Sequence, residues 1–149
     1  MEKKIVPIGP EDVPRILKIV QKEFPYKNFE EERFHERVLQ PSVFVFKAVE
    51  GKQLAGFIDI EFMDEQTGRI TALSVMERFR GKKIGKKLVE FAIDFFKKQA
   101  CERIVLLVAK ENETAKKVYS EAGFKKTKDL EKIGGKEAEE MELRLQGNC

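Results

Sequence analysis

Arg78-Phe79-Arg80-Gly81-Lys82-Lys83-Ile84-Gly85-Lys86 lies between two kinds of pattern. Before it, Arg69 to Met76 is rich in β-formers. After it, Ile84, Leu88, Phe91, Ala92, Phe95 and Phe96 recur at helical spacing with lysines opposite. The segment therefore opens a helix directly after a strand. A helix start carries main-chain N–H groups without partners and a partial positive charge. Gly81 and Gly85 allow close backbone approach, and Arg78, Arg80, Lys82, Lys83, Lys86 and Lys87 add positive side chains. The segment is built to hold an anion such as a phosphate or pyrophosphate. Its charges alone leave a second reading open, a solvated basic helix start.

Working outward from this segment, three strands precede it. Val43 to Val49 and Leu54 to Phe62 flank a hairpin turn at Glu50-Gly51-Lys52, and a turn from Asp64 to Gly68 leads into Arg69 to Met76. Upstream, Ile5 to Ile8 reads as an edge strand because Pro7 cannot donate to a ladder. Two helices follow. The first repeats Val13, Ile16, Leu17 and Val20 up to Phe24 and stops at Pro25; the second runs from Phe29 to Leu39 with Phe34 and Val38 on one side. Downstream, Arg103 to Val108 is a near-continuous apolar run, the mark of a strand covered on both faces. Asn112 can cap a helix carrying Ala115, Val118, Tyr119 and Ala122 on one face, and Gly123 stops it. Two weaker strands, Phe124 to Leu130 and Ala138 to Leu145, flank Gly134-Gly135. Hairpins followed by a helical crossover imply an α/β (α+β) fold. The expected form is a mixed, mostly antiparallel sheet of six or seven strands flanked by four helices, in one domain over residues 1–149.

Other glycine-rich phosphate cradles fit poorly. A P-loop needs a hydroxyl after its lysine, whereas Gly85 is followed by Lys86-Lys87. A dinucleotide fold needs its glycines after the first strand of an alternating βα pattern, and here a meander comes first.

Two motifs carry a specific resemblance. Leu73-Ser74-Val75 followed by Arg78-x-x-Gly81-x-x-Ile84-Gly85-Lys86 resembles the acyl-CoA-binding motif of the GNAT superfamily of N-acetyltransferases. The usual pattern is Gln/Arg-x-x-Gly-x-Gly/Ala. Arg78 and Gly81 match, and Lys83 stands where Gly or Ala is usual. Asn112 to Phe124 resembles the superfamily's Asn-x-x-Ala-x-x-x-Tyr-x-x-x-Gly-Phe helix.

The resemblance implies an N-acetyltransferase that moves an acetyl group from acetyl-CoA to a primary amine by direct attack in a ternary complex. It implies main-chain pairing of Leu73 and Val75 with the pantetheine arm, Ser74 lying between them. The pyrophosphate would sit on Arg78, Arg80, Gly81, Lys83, Ile84, Gly85 and Lys86, with Asn112 near the arm. Tyr119 becomes the candidate general acid for the leaving thiolate, although an aromatic at helical spacing also suits a core. For the general base, the strand from Arg69 to Met76 offers only Thr71 and Ser74. The neighbouring strand carries Asp59 and Glu61, of which Glu61 is the candidate, acting directly or through water. A solvent-facing strand carboxylate is the plain alternative. The only histidine, His35, lies in a charged helix and reads as a surface residue.

Two rival functions share these residues: an acyl-CoA-binding regulatory domain without chemistry, and a nucleic-acid-binding module using the basic loop over residues 78–87. The net charge of +3, from 29 basic and 26 acidic residues, argues against nucleic acid as the general partner. One histidine and two distant cysteines, Cys101 and Cys149, imply no metal site and no disulfide framework. No stretch approaches the roughly 20 apolar residues a bilayer span needs, and no signal peptide is evident. A cytoplasmic protein without a membrane partner is expected, as a monomer or homodimer.

Overall fold

The computed structural model describes residues 3–23, 30–133 and 136–145. Its elements, in chain order, are β1 (Lys3–Pro7), α1 (Val13–Glu23), α2 (Glu31–Val38), β2 (Val43–Glu50), β3 (Gln53–Phe62), β4 (Thr67–Val75), α3 (Ile84–Lys98), β5 (Arg103–Ala109), α4 (Glu113–Glu121), β6 (Lys125–Ile133) and β7 (Lys136–Arg144). The seven strands form one sheet in the order β1-β2-β3-β4-β5-β7-β6. Only β4 and β5 run parallel, because α3 crosses between them. The mixed sheet with four α-helices is the architecture expected from the sequence, with β1 at one edge.

Each local boundary has a physical cause. Asp64 accepts the N–H groups of Gln66 and Thr67, both at 2.8 Å, and closes the β3–β4 turn. That turn is shorter than expected. Gly68 belongs to β4, where a Cβ would meet the Phe96 ring at 2.5 Å, so the glycine lets α3 lie close on the sheet. The second helix is also shorter than its apolar pattern, beginning at Glu31; Phe29, Phe24, Pro25 and Gly134-Gly135 lie outside the described residues.

Alternation in the central strands divides the core in two. Ile58 and Ile60 of β3 and Ile70 of β4 face α3, joined by Leu88, Phe96, Ile104, Leu106 and Tyr119. Phe57 and Ala72 face the other way, under Val13, Ile16, Leu17 and Val20 of α1 and Phe34 of α2. The sheet therefore has an α3–α4 face and an α1–α2 face. Among the described residues, no helix is long and apolar enough to cross a membrane.

One irregularity shapes the rest. Asp59 pairs with Ala72 and Ile60 with Ile70, so Thr71 is an extra residue in β4. A bulge of this kind bends the strand and increases its twist. Downstream of it β4 parts from β5. Their ladder covers Thr67 to Ile70 against Arg103 to Leu106 and stops there. β5 stays paired with β7 to Ala109, so the opening lies between β4 and β5 alone.

Candidate active site

The gap between β4 and β5 is a pocket at the carboxyl ends of two parallel strands, where open α/β sheets bind ligands. Thr71 and Leu73 line one side, Leu107 and Ala109 the other, and Asn112 and Tyr119 of α4 the end. Main-chain direction follows from one bond. Met76 donates its N–H to Ala55 O of β3 at 2.8 Å. By strand alternation, Ala72 and Ser74 turn their N–H groups to β3, while Leu73 and Val75 turn theirs to the gap. β4 thus presents an internal edge with open main-chain groups. Val75 O on that edge accepts Arg80 Nε at 3.1 Å. The Ser74 side chain takes no part in the edge; its hydroxyl bonds Glu23 on the α1–α2 face.

The basic loop lies beside this edge. Lys83 is the N-cap of α3 and has no side-chain cap bond. The first helical bond runs from Lys87 N–H to Lys83 O at 3.1 Å, leaving the N–H groups of Ile84, Gly85 and Lys86 at the helix end. The α4 start is different: Asn112 Oδ1 accepts Ala115 N–H at 3.2 Å and satisfies that helix from within. Ile84 contributes only main chain, since its side chain is buried in the core. Arg78 lies over the Phe79 ring at 5.3 Å and Lys82 at 5.4 Å.

Two residues of the loop have positive φ, Gly81 at 83° and Lys83 at 63°. The Lys83 value explains why glycine is the usual residue at its position. A left-handed conformation costs a residue with Cβ about 1–2 kcal/mol, whereas glycine loses about 0.5–1 kcal/mol more backbone entropy on folding. The first term is larger. Lys83→Gly should therefore raise stability by about 0.5 kcal/mol, a gain of about 1–2 °C in Tm. Differential scanning calorimetry checks this; an unchanged or lower Tm would contradict it.

Tyr119 is 5% exposed, packs edge-on against Phe124 at 5.8 Å between ring centroids, and reaches the pocket end. It serves the core and the pocket together. Glu61 is one strand away from the gap and does not line it. Thr71 does, and its hydroxyl is 3.3 Å from Glu61 Oε1. Arg37 of α2, which the sequence reading passed over, bonds both Asp59 and Thr71, the latter at 3.2 Å, and stands 3.7 Å from Glu61. The Glu61 side chain is 24% exposed and so only partly faces solvent, and Asp59 is only 2% exposed. Arg37 was detectable in principle, since it falls on the helical face of Phe34 and Val38. His35 is exposed on α2, away from that face. Among the described residues, no cluster of three or more His, Cys, Asp or Glu could hold a metal ion.

A family model described as the acetyltransferase (GNAT) family matches residues 13–124, which include the loop, the gap and α4. The chain belongs to the GNAT acetyltransferase family. It is an acyl-CoA-dependent N-acetyltransferase. The N-alpha-acetyltransferase 30 of Schizosaccharomyces pombe is 28% identical over 132 residues, covering 85% of this chain and 86% of the relative. Two solved structures share the fold. Arabidopsis thaliana NAA60 in complex with acetyl-CoA superposes with a TM-score of 0.85 at 21% identity, covering 98% of this chain and all of that one. The ribosomal-protein-S18-alanine N-acetyltransferase of Escherichia coli gives 0.83 at 19%, covering 99% and 97%. In this GNAT chain the basic loop at the start of α3 and the open β4 edge lie side by side.

Proposed function

We propose that this N-acetyltransferase uses acetyl-CoA to acetylate the N-terminal α-amine of a peptide or protein, by direct attack at the β4–β5 gap. The observation that carries the chemistry is the gap itself. It joins an uncapped, cationic helix start to an open strand edge, so one extended ligand with an anionic end fits both. The N–H groups of Ile84, Gly85 and Lys86 hold the pyrophosphate, with Lys83 N–H and the cations of Arg78, Arg80 and Lys86 around it. The open main-chain groups of Leu73 and the N–H of Val75 take the pantetheine arm as an added strand, and Asn112 borders the arm while capping α4. A gap-facing N–H of β4 stabilises charge developing on the thioester oxygen.

Tyr119 donates a proton to the leaving thiolate. Glu61 receives the amine proton at one remove, with the Thr71 hydroxyl or a water between. Direct transfer is supported by the Cys101 thiol. Cys101 is buried in the connection before the paired end of β5, and burial pushes its thiol above the ordinary 9.0, which makes it a poor nucleophile.

The acceptor class rests on the fission-yeast relative, an N-alpha-acetyltransferase whose similarity runs along most of both chains. Thiol release from acetyl-CoA, followed with peptides, tests it. Peptides with a free N-terminus should release thiol and gain one acetyl group there by mass spectrometry. The same peptides blocked at the N-terminus but carrying lysine should give none. Release with small amines alone would refute the assignment.

A further inference from the structure

Several cations of the cradle already face carboxylates. Lys86 Nζ is 4.0 Å from Glu90 on the same helix, and Lys82 Nζ is 3.8 Å from Glu50 at the end of β2. Arg80 is the most telling. Its Nη2 lies 3.8 Å from Oε1 of Glu23, the last residue of α1. Its Nε holds Val75 O, on the strand edge that faces the gap. The other Glu23 oxygen accepts the Ser74 hydroxyl. A continuous chain of polar contacts therefore runs from the edge of β4, through Arg80, to the end of α1 on the opposite face of the sheet.

Arg80 is 61% exposed and Glu23 30% exposed, so neither is locked by packing. A guanidinium binds carboxylate and phosphate with the same planar fork, so the two anions compete for it. We infer that Glu23 is a built-in competitor for the cofactor's pyrophosphate. It holds Arg80 while the cradle carries no anion and releases it when an anion binds at the α3 start. This rests on the reading of that start as the pyrophosphate site. The exchange couples the two substrates in space. Acetyl-CoA, arriving beside α3, strips the cation from a carboxylate at the end of α1, on the face that α1 and α2 cover. Glu23 thereby becomes available to a cationic acceptor only once the donor is in place. Glu23 is a positioning residue in this scheme and takes no proton.

Isothermal titration with CoA as the probe tests the competition without an identified acceptor. Four proteins are compared: wild type, Glu23→Gln, Arg80→Ala and the double variant. The glutamine keeps an acceptor for Ser74 but no longer attracts Arg80. Glu23→Gln should bind CoA about two- to five-fold more tightly than wild type, the range of an exposed ion pair. In the Arg80→Ala background the same substitution should change nothing, which separates the pair from a general effect of removing one negative charge. Both side chains are on the surface, and thermal melts confirm that each variant folds. Equal affinity in Glu23→Gln and wild type, or equal tightening with and without Arg80, would overturn the inference while leaving the cofactor site intact. Failure of the wild type to bind CoA would overturn the cofactor site as well.

Discussion

Tyr119→Phe should lower kcat about 100-fold while leaving the KM for acetyl-CoA nearly unchanged and lowering the melting temperature by only about 2–4 °C. General acids contribute roughly 10²–10⁴ in rate, and the phenol of Tyr119 is the proton donor assigned to the leaving thiolate. The ring is a different matter. It packs edge-on against Phe124 in the core that α3 and α4 cover, and phenylalanine keeps that packing. The lost hydroxyl costs stability only about the 1 kcal/mol of one hydrogen bond. Steady-state thiol release and calorimetry separate the two roles. A variant with full kcat would show that Tyr119 is packing alone. A large fall in Tm with a matching fall in rate would show that the hydroxyl holds the structure rather than the proton.

Arg37→Met should have the largest effect on stability. Arg37 bonds Asp59, a carboxylate 2% exposed under α2, and removing one partner of a buried pair costs about 3–5 kcal/mol. For a chain of this length that lowers Tm by about 6–20 °C. The deficit has a definite pH dependence. Without the guanidinium, burial raises the Asp59 pKa in the folded state, so the folded variant binds the proton more readily than the unfolded chain. Its lost stability is then partly restored at low pH and grows as pH rises. A second substitution, Asp59→Leu in the Arg37→Met background, should recover most of the loss, because apolar pairs of similar volume replace buried ion pairs well. Chemical denaturation at two pH values checks all three statements. A single variant as stable as wild type would mean that the pair carries no net stability.

The parts of the site that were legible in the sequence are local. The glycines and cations of residues 78–86 stand between a strand pattern and a helix pattern, and Asn112 and Gly123 bracket one helix; neighbours along the chain become neighbours in space. Lys83 was visible as a departure from the family pattern, and its φ of 63° is the conformation that favours glycine there. The unseen contacts are those between distant residues. Arg37 and Asp59 are 22 positions apart, Glu23 and Ser74 51. Neither pair has a spacing that a periodicity could reveal, because each joins a helix to a strand it meets only after the sheet is assembled. The Thr71 bulge was hidden for a related reason: an extra residue in a ladder is defined by the partner strand. The charge pattern also misled in one place. Asp59 and Glu61 alternate like residues on a wet face, yet α2 covers that face and supplies the arginine that makes burial of Asp59 tolerable.

The short β4–β5 ladder has one more consequence. Among the described residues, four rungs, Thr67 to Ile70 against Arg103 to Leu106, and the bonds of the Glu102 and Arg103 N–H groups to Gln66 O beside them stitch the backbones of the two blocks of sheet together. On one side of this seam lie β1 to β4, on the other β5, β7 and β6. The stitches sit at one end, so the seam works like the spine of a half-open book, with α3 packed across it as the binding tape. A ligand laid between the leaves would touch both blocks at the end where they are not sewn. Such a ligand would bridge the seam at the end the chain leaves unpaired.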